Sequence, residues 1–376
     1  MARRPRLVQL ASVVELTERG ALGDSVVQGV DFSSATIDWA KVAVRGTVFL
    51  GCLFPTVTVE HDLLLRGAIV FPRFEGLPYD PYRTTLYSPD ELMAGYLPGQ
   101  LESTRDYAIY AHFVARGRHE ADILEALAQR IHDHAIDGAL RELLTAERKV
   151  VAIMGGHGKA RDDADYANVA RLGWLLGRAG YFVASGGGPG IMEAANLGAY
   201  LSRWPEPGAV DEAIATLARA PRFMEGGRCL PEYFDRARDV RARFPDGAAS
   251  LAVPTWFYGH EPSNLFGVHV AKYFSNSVRE DGLLAIALHG VVFAPGSAGT
   301  TQEIFMDATQ NHYGTLGYLS PMVFFGSRRY AGETRLWDTL RDLARGRPYA
   351  DLMQLADDPA QVVAFLQAHA PVAVKS

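Results

Sequence analysis

KVVAIM (149–154) runs directly into the glycine-rich turn GGHG (155–158), and this junction decides the fold of the second half of the chain. The apolar, β-branched run predicts a buried strand. Apolar residues at helical spacing follow over 163–179, and a second strand, YFVAS (181–185), ends in another glycine run, GGGPG (186–190). A strand, a helix and a strand in this order predict two parallel strands joined by a crossover helix.

The same alternation continues to the C-terminus. Further strands are predicted at 250–258, 291–294 and 322–325, and helices from 191 and over 263–280, 301–311, 334–344 and 359–369. Residues 203–248, rich in Arg, Pro and Gly, interrupt this order as a helical insertion. Apolar strands that alternate with amphipathic helices predict a Rossmann-like α/β domain over 146–376, with a parallel sheet and helices on both faces.

The first 145 residues have a different pattern. Residues 26–59 are apolar, β-branched and punctuated by glycine, which is typical of short strands. A five-residue recurrence suggests a small coil of β structure, but an ordinary meander fits better; the recurring residues are Phe32, Ile37 and Val42. A proline-rich segment at 72–106 and a helix over 121–144 follow. We therefore predict a smaller mixed α+β N-terminal domain over 1–145, of unassigned role.

Composition and charge exclude several classes of protein. A hydrophobic content of 48% with 21% charged residues is ordinary for a globular protein, and a net charge of −6 argues against nucleic acid as the main partner. Cys52 and Cys229 have no metal-ligand spacing and form no disulfide framework. The N-terminus lacks the pattern of a signal peptide, and no apolar run reaches the roughly 18 residues of a membrane span. We expect a cytoplasmic protein that does not contact membranes.

Three glycine-rich loops follow the strands at 149–154, 181–185 and 291–294. Ligands of parallel α/β sheets bind at the carboxyl ends of the strands, and the free N–H groups at a helix N-terminus favour phosphate. Three such loops at matching strand ends therefore predict a phosphate site. The candidate binding residues in the loops are Gly156, His157, Gly186, Gly187, Gly188, Gly190, Gly296, Ser297, Ala298 and Gly299.

The common nucleotide motifs do not match these loops. In the dinucleotide pattern G-x-G-x-x-G, Arg161 and Ile191 stand where the third glycine is required. The Walker pattern fails because Ala160 follows Gly158-Lys159. NAD and ATP are therefore disfavoured, and a single phosphate monoester fits better.

Two longer motifs resemble those of the LOG family, the phosphoribohydrolases that activate cytokinins and the related bacterial nucleotide monophosphate nucleosidases. SGGGPGIMEAANLGA (185–199) contains the family's complete GGGxxGxM loop, and PGSAGTTQE (295–303) matches its PGGxGTxxE loop except that Ser297 replaces a glycine. Arg279 stands near the place of the family's arginine on the preceding helix. The resemblance covers about 150–370, apart from the insertion.

The resemblance implies hydrolysis of the N-glycosidic bond of a nucleoside 5′-monophosphate, without metal or cofactor, by a homodimer or larger homo-oligomer. Glu303 would be the catalytic carboxylate, and Arg279 would orient the ribose or Glu303. Glu303 lies one helical turn beyond Thr300, so a carboxylate would stand beside the ribose of a phosphate-anchored nucleotide. Thr300 and Thr301 would add hydroxyl donors to the phosphate site.

Several residues have both a binding and a packing interpretation. Glu193 and Asn196 follow the second glycine loop and either contact the ligand or pack within their helix. Trp256, Phe257 and Tyr258 either stack on a base or belong to the core.

Two other functions compete with hydrolysis. A non-catalytic nucleotide sensor is favoured by Ser297 and by the N-terminal domain, whereas Glu303 and Arg279 favour the enzyme. A pyridoxal-phosphate decarboxylase would need a Schiff-base lysine. Only Lys159 and Lys272 lie well inside the domain, and neither is placed in a loop that would hold the cofactor.

Overall fold

The computed structural model describes residues 8–10, 12, 14, 22–23, 25–145 and 148–374. The chain forms two compact units, the first from residues 1–85 and 119–141 and the second from 86–118 and 142–376. Residues 86–118 therefore belong to the unit that contains the glycine-rich loops. This division differs from the single boundary near 145 that the sequence suggests.

Within the described residues the strands and helices have the following bounds. The strands are β1 (Val8–Leu10), β2 (Ser25–Gln28), β3 (Val48–Leu50), β4 (Ile69–Phe71), β5 (Val150–Met154), β6 (Phe182–Ser185), β7 (Met224–Glu225), β8 (Arg228–Cys229), β9 (Leu251–Ala252), β10 (His269–Val270), β11 (Val291–Phe293), β12 (Tyr318–Leu319), β13 (Met322–Phe325), β14 (Met353–Ala356) and β15 (Val372–Ala373). The helices are α1 (Val57–Leu65), α2 (Pro89–Leu92), α3 (Arg105–Ala115), α4 (Ile123–Leu143), α5 (Ala164–Arg178), α6 (Ile191–Leu201), α7 (Gly208–Leu217), α8 (Pro231–Arg243), α9 (Asn276–Ile286), α10 (Ala298–Tyr313), α11 (Leu336–Ala344) and α12 (Pro359–Ala368).

The first unit contains a small coil of parallel strands. β1, β2, β3 and β4 pair in sequence order, and each pair is parallel. The ordinary meander favoured by the sequence is therefore wrong, because a meander pairs its strands antiparallel. The paired residues Val27, Phe49 and Val70 stand 22 and 21 residues apart, so the repeat is far longer than five residues.

The second unit is built on a parallel sheet of order β10-β9-β6-β5-β11-β13-β14. This confirms the predicted α/β class and the Rossmann-like sheet. β5 pairs with β6 on one side and with β11 on the other, so the strand order reverses at β5. Such a switch point leaves a crevice outside the carboxyl ends of the two central strands.

Helix packing beneath the sheet holds the loops in place. α5 buries Val169, Leu172 and Leu176 on one face, as its apolar spacing predicts. It lies so close to α6 that a Cβ added at Gly198 would stand 1.9 Å from the backbone oxygen of Ala170. The N-terminus of α6, where the second glycine loop ends, is thereby fixed against α5.

One predicted element of this unit is wrong. The sequence predicted a helix over 263–280, but the helix α9 begins only at Asn276, and β10 lies upstream of it. His269 and Val270 pair with β9, and the backbone of Val270 also exchanges two hydrogen bonds with Tyr87. Sheet pairing with a distant segment thus overrides the local helical spacing. Among the described residues, no helix is long and apolar enough to cross a membrane.

Candidate functional site

The first and third glycine loops meet at the switch point. The backbone N–H of Gly156 donates to the carbonyl of Pro295 at 3.1 Å. A Cβ added at Gly156 would lie 3.3 Å from the Cα of Gly296, so two backbones approach here without an intervening side chain. The carboxyl ends of β5 and β11 thus form the shared wall that the sequence predicted for a ligand site.

A cavity of 560 Å³ opens beside these two loops. It is lined by Gly156, His157, Gly158, Lys159, Asp165, Pro295, Gly296, Ser297, Gly326, Arg328, Arg329, Glu333 and Asp357. Its cations have carboxylate partners: Lys159 contacts Asp165, and both Arg328 and Arg329 lie within 4 Å of Glu333. An entering phosphate would therefore meet backbone amides and balanced ion pairs rather than a field of free positive charge.

The N-terminus of α10 carries the third loop. Ser297 is its N-cap residue and makes no capping hydrogen bond with its side chain, which leaves amides of the first turn available to an anion. Ser297 has a φ of −109°, a value open to any residue, so serine replaces the family's glycine without strain. The hydroxyl of Thr301 donates to the carbonyl of Ser297 at 3.0 Å, and Thr300 is buried. Ser297, Ala298 and Gly299 are the exposed part of this loop.

The second glycine loop reaches the same place but is covered. Residues 186–190 are buried. Asn264 donates its backbone N–H to the carbonyl of Gly187 at 2.8 Å, and the side chain of Met192 lies against Gly186 and Gly188. Gly190, with a φ of 68°, packs against the carbonyl oxygen of Gly156. This loop therefore supports the first loop from below and does not line the cavity.

Glu303 and Arg279 come together one turn inside α10. Nη1 of Arg279 lies 3.7 Å from Oε1 of Glu303, and the Glu303 side chain is 13% exposed. Burial raises the pKa of Glu303 to about 7, while Arg279 acts in the opposite direction and Glu280 adds to the rise. A carboxylate with this pKa can give up or take a proton near neutral pH.

A ring of polar side chains orients Arg279. Its Nη2 donates to Oδ1 of Asn276 at 2.9 Å and lies 3.6 Å from a carboxylate oxygen of Glu280. Glu280 in turn accepts a hydrogen bond from Gln302 at 3.0 Å. The Nε of Arg279 is buried and, within the described part of the chain, has no hydrogen-bond partner. This N–H is therefore available to a ligand.

Tyr330 links the cavity to the buried carboxylate. Its hydroxyl donates to the carbonyl of Ala294, the last residue before the third loop, at 2.7 Å. Burial raises the pKa of Tyr330, Arg329 opposes the rise, and the carboxylates of Glu303 and Asp165 add to it. Because Arg329 and Asp165 line the cavity, Tyr330 stands between the cavity and Glu303, which is itself not a lining residue.

Two sequence candidates have internal partners. The carboxylate of Glu193 accepts hydrogen bonds from Arg161 and from the hydroxyls of Tyr166 and Tyr233, all fully buried. The side chain of Asn196 bonds to Ser185, Ser250, Asn264 and the carbonyl of Leu251. The structure thus gives Glu193 and Asn196 packing roles, because every contact described for them is within the protein.

The aromatic run after β9 separates into two roles. Trp256 is completely buried and donates to Asp106 at 2.8 Å, whereas Tyr258 is 60% exposed. Asp106 also holds the buried ammonium of Lys272 at 2.8 Å. Neither Asp106 nor its role was predicted, because its partners stand more than a hundred residues away in sequence and no local motif marks it. Lys272, engaged in this way, is no free amine for a Schiff base.

Comparison with known proteins agrees with this site. The sequence model of the SLOG cluster4 family matches residues 148–203, which contain the first two glycine loops. No curated protein sequence matches the chain. Among solved structures, the molybdenum cofactor binding protein of the phototrophic bacterium Rippkaea orientalis is 12% identical with a TM-score of 0.38, covering 60% of this chain and 98% of that chain. The Moco carrier protein of Chlamydomonas reinhardtii is 16% identical with a TM-score of 0.37, covering 59% and 97%.

The sheet, its switch point and the loops around it define a Rossmann-like α/β protein with a site for a small anionic ligand. The family match and the two glycine motifs place the chain in the LOG/SLOG superfamily, which confirms the resemblance found in the sequence. The two solved structures are too distant to carry an argument about ligand or activity.

Proposed function

We propose that this protein hydrolyses the N-glycosidic bond of a nucleoside 5′-monophosphate to free base and ribose 5-phosphate. The observation that supports this most is the pair formed by Glu303 and Arg279. A mostly buried carboxylate, with its pKa raised to about 7 and an arginine 3.7 Å away, lies one helical turn from an uncapped helix N-terminus. Anchoring and chemistry are then performed by neighbouring parts of one helix.

The roles follow from the geometry. The 5′-phosphate binds the exposed amides of Ser297 to Gly299 at the start of α10, next to Gly156 and His157. Ionised Glu303 stabilises the positive charge that develops on the ribose as the bond from C1′ to the base nitrogen breaks. The electron pair leaves with the base, water adds to C1′, and Glu303 accepts the proton that the water releases. Arg279 holds Glu303 and presents its unpartnered Nε toward the ligand side.

The decisive experiment is a survey of base release. AMP, GMP, CMP and UMP are incubated with the protein, and free base and ribose 5-phosphate are separated by chromatography. Release of base from at least one monophosphate, in equal amount to ribose 5-phosphate, supports the proposal. Absence of release from all four, at a protein concentration that binds them, overturns it.

A non-catalytic nucleotide sensor is the second candidate. It is favoured by one observation: Glu303 does not line the cavity beside the first and third loops, so a ligand held there needs no contact with the carboxylate. Binding of a monophosphate in calorimetry without base release would select this function.

We also propose a cytoplasmic homodimer or larger homo-oligomer, as the resemblance to the LOG family implies. Light scattering at micromolar concentration tests the assembly, and a monomer there contradicts it.

A further inference from the structure

The loop after β9 presents one exposed aromatic ring beside the catalytic pair. Tyr258 is 60% exposed, while the neighbouring Trp256 is fully buried. Phe257 lies perpendicular to Tyr258 with ring centroids 5.0 Å apart, so one edge of the Tyr258 ring is supported and its faces are left open. Gly259 follows with a φ of 135°, a backbone conformation that glycine adopts readily, and it turns the chain away from the ring.

Hydrogen bonds connect this ring to the site. The hydroxyl of Tyr258 accepts a hydrogen bond from Nδ2 of Asn276 at 2.8 Å, and Oδ1 of the same Asn276 accepts one from Arg279 at 2.9 Å. Arg279 then faces Glu303. The hydroxyl thus lies two hydrogen bonds from Arg279, and both ends of the ring have a defined support.

A structural role alone does not account for this position. An aromatic ring that serves packing is buried, as Trp256 is between Phe274 and Tyr87. Tyr258 instead leaves most of its surface in water while its hydroxyl is tethered, which holds an open aromatic face in one orientation. Nucleobases are bound by such faces through stacking, and a purine overlaps a tyrosine ring over more area than a pyrimidine does.

We infer that Tyr258 stacks on the base of the bound nucleotide and makes the site prefer purine over pyrimidine monophosphates. The inference rests on the proposed function, since it takes a nucleotide with its ribose at Glu303 and its phosphate at the start of α10. The base then projects from the ribose toward the β9 loop, where Asn276 and Arg279 hold the tyrosine.

The test compares Tyr258→Ala and Tyr258→Phe with the wild type on AMP and CMP. Stacking on an aromatic side chain predicts that Tyr258→Ala lowers kcat/KM for AMP about 10-fold or more, mainly through KM, with a smaller loss for CMP. Tyr258→Phe keeps the ring and stays within a few-fold of the wild type. Tyr313→Ala, which removes a tyrosine 74% exposed at the far end of α10, is the matched control and leaves both substrates unchanged.

Each outcome has one meaning. An AMP-to-CMP ratio unaltered by Tyr258→Ala overturns the inference while base release by the wild type keeps the proposed function. Equal losses in Tyr258→Phe and Tyr258→Ala also overturn it, because the hydroxyl tether would then be what matters. If the wild type binds AMP but releases no base, the hydrolase proposal fails, and calorimetric dissociation constants for AMP and CMP with the same variants decide on stacking. If no monophosphate binds, both proposals fail.

Discussion

Nη1 of Arg279 lies 3.7 Å from Oε1 of Glu303, and neither side chain is more than 13% exposed. Two opposing effects act on the carboxylate: burial favours its neutral form, and the arginine favours its charged form. The result is a pKa raised to about 7, so both protonation states are accessible near neutral pH. This balance makes Glu303 the residue on which the proposed chemistry depends.

Replacing Glu303 with Gln is expected to lower base release from AMP by at least 100-fold, because the amide neither stabilises positive charge nor accepts a proton. Nucleotide binding is expected to change little, since the phosphate is held at the start of α10. Glu232→Gln, at an exposed glutamate of α8, is the control and should retain activity. Native rates in Glu303→Gln would show that another group performs the chemistry.

The rate is expected to depend on pH through Glu303. The ionised carboxylate is the active form, and its pKa is raised to about 7, so kcat/KM for AMP should rise from pH 5.5 and level off above pH 7. The increase should be about tenfold or more. Initial rates across this range, with protein stability checked at each pH, provide the measurement. A rate that is flat between pH 5.5 and 7 contradicts the assignment.

The phosphate is expected to be essential for recognition. Adenosine lacks the group that binds the amides of Ser297 to Gly299, and the loss of two or more charge-assisted hydrogen bonds predicts a kcat/KM about 100-fold or more below that of AMP. Parallel assays with AMP and adenosine decide this. Comparable values would show that the third loop does not bind phosphate.

Much of the second unit could be predicted because its signals are local. Each glycine loop follows a buried strand in sequence, and strand order then brings the loops together at β5 and β11. The pairing of Arg279 with Glu303 follows from motif positions on two adjacent helices. What could not be predicted depends on contacts between distant segments: Asp106 with Lys272, Arg161 with Glu193, and Tyr87 with Val270.

The N-terminal strands show the same limit from another side. Val27, Phe49 and Val70 are paired at intervals of 22 and 21 residues. An alternation of apolar and polar residues predicts a strand but not its neighbour, so a parallel coil and an antiparallel meander have nearly the same local pattern. Tyr258 and Trp256 make the point for the site, since two aromatic residues separated by one position differ completely in burial.

Asp307, one turn beyond Glu303 on α10, is expected to lower stability at alkaline pH. Burial raises the pKa of Asp307 to about 8, well above its ordinary value of 3.8. A raised folded-state pKa means that stability is fully present below about pH 4 and is lost as the pH rises through 8. Asp307→Asn removes the titration, so its Tm relative to the wild type should be higher at pH 9 than at pH 5. Asp338→Asn, at an exposed position of α11, should show no such pH-dependent difference.

The last prediction concerns the segment 86–118, which belongs to the same unit as the glycine loops. Asp106, 1% exposed, holds the completely buried ammonium of Lys272 and accepts the indole N–H of Trp256. Asp106→Ala leaves a buried charge without its partner, so we expect a loss of about 3–5 kcal/mol in the free energy of unfolding. The control is Asp90→Ala, which breaks the solvent-exposed pair with Arg241 in the same segment and should cost under about 1 kcal/mol. Urea denaturation measures both. Combining Asp106→Ala with Lys272→Met should recover part of the loss, because the unpaired charge is then removed. Equal stabilities for the two single variants would contradict this account, and a fragment beginning at residue 147 would then be expected to fold without the segment.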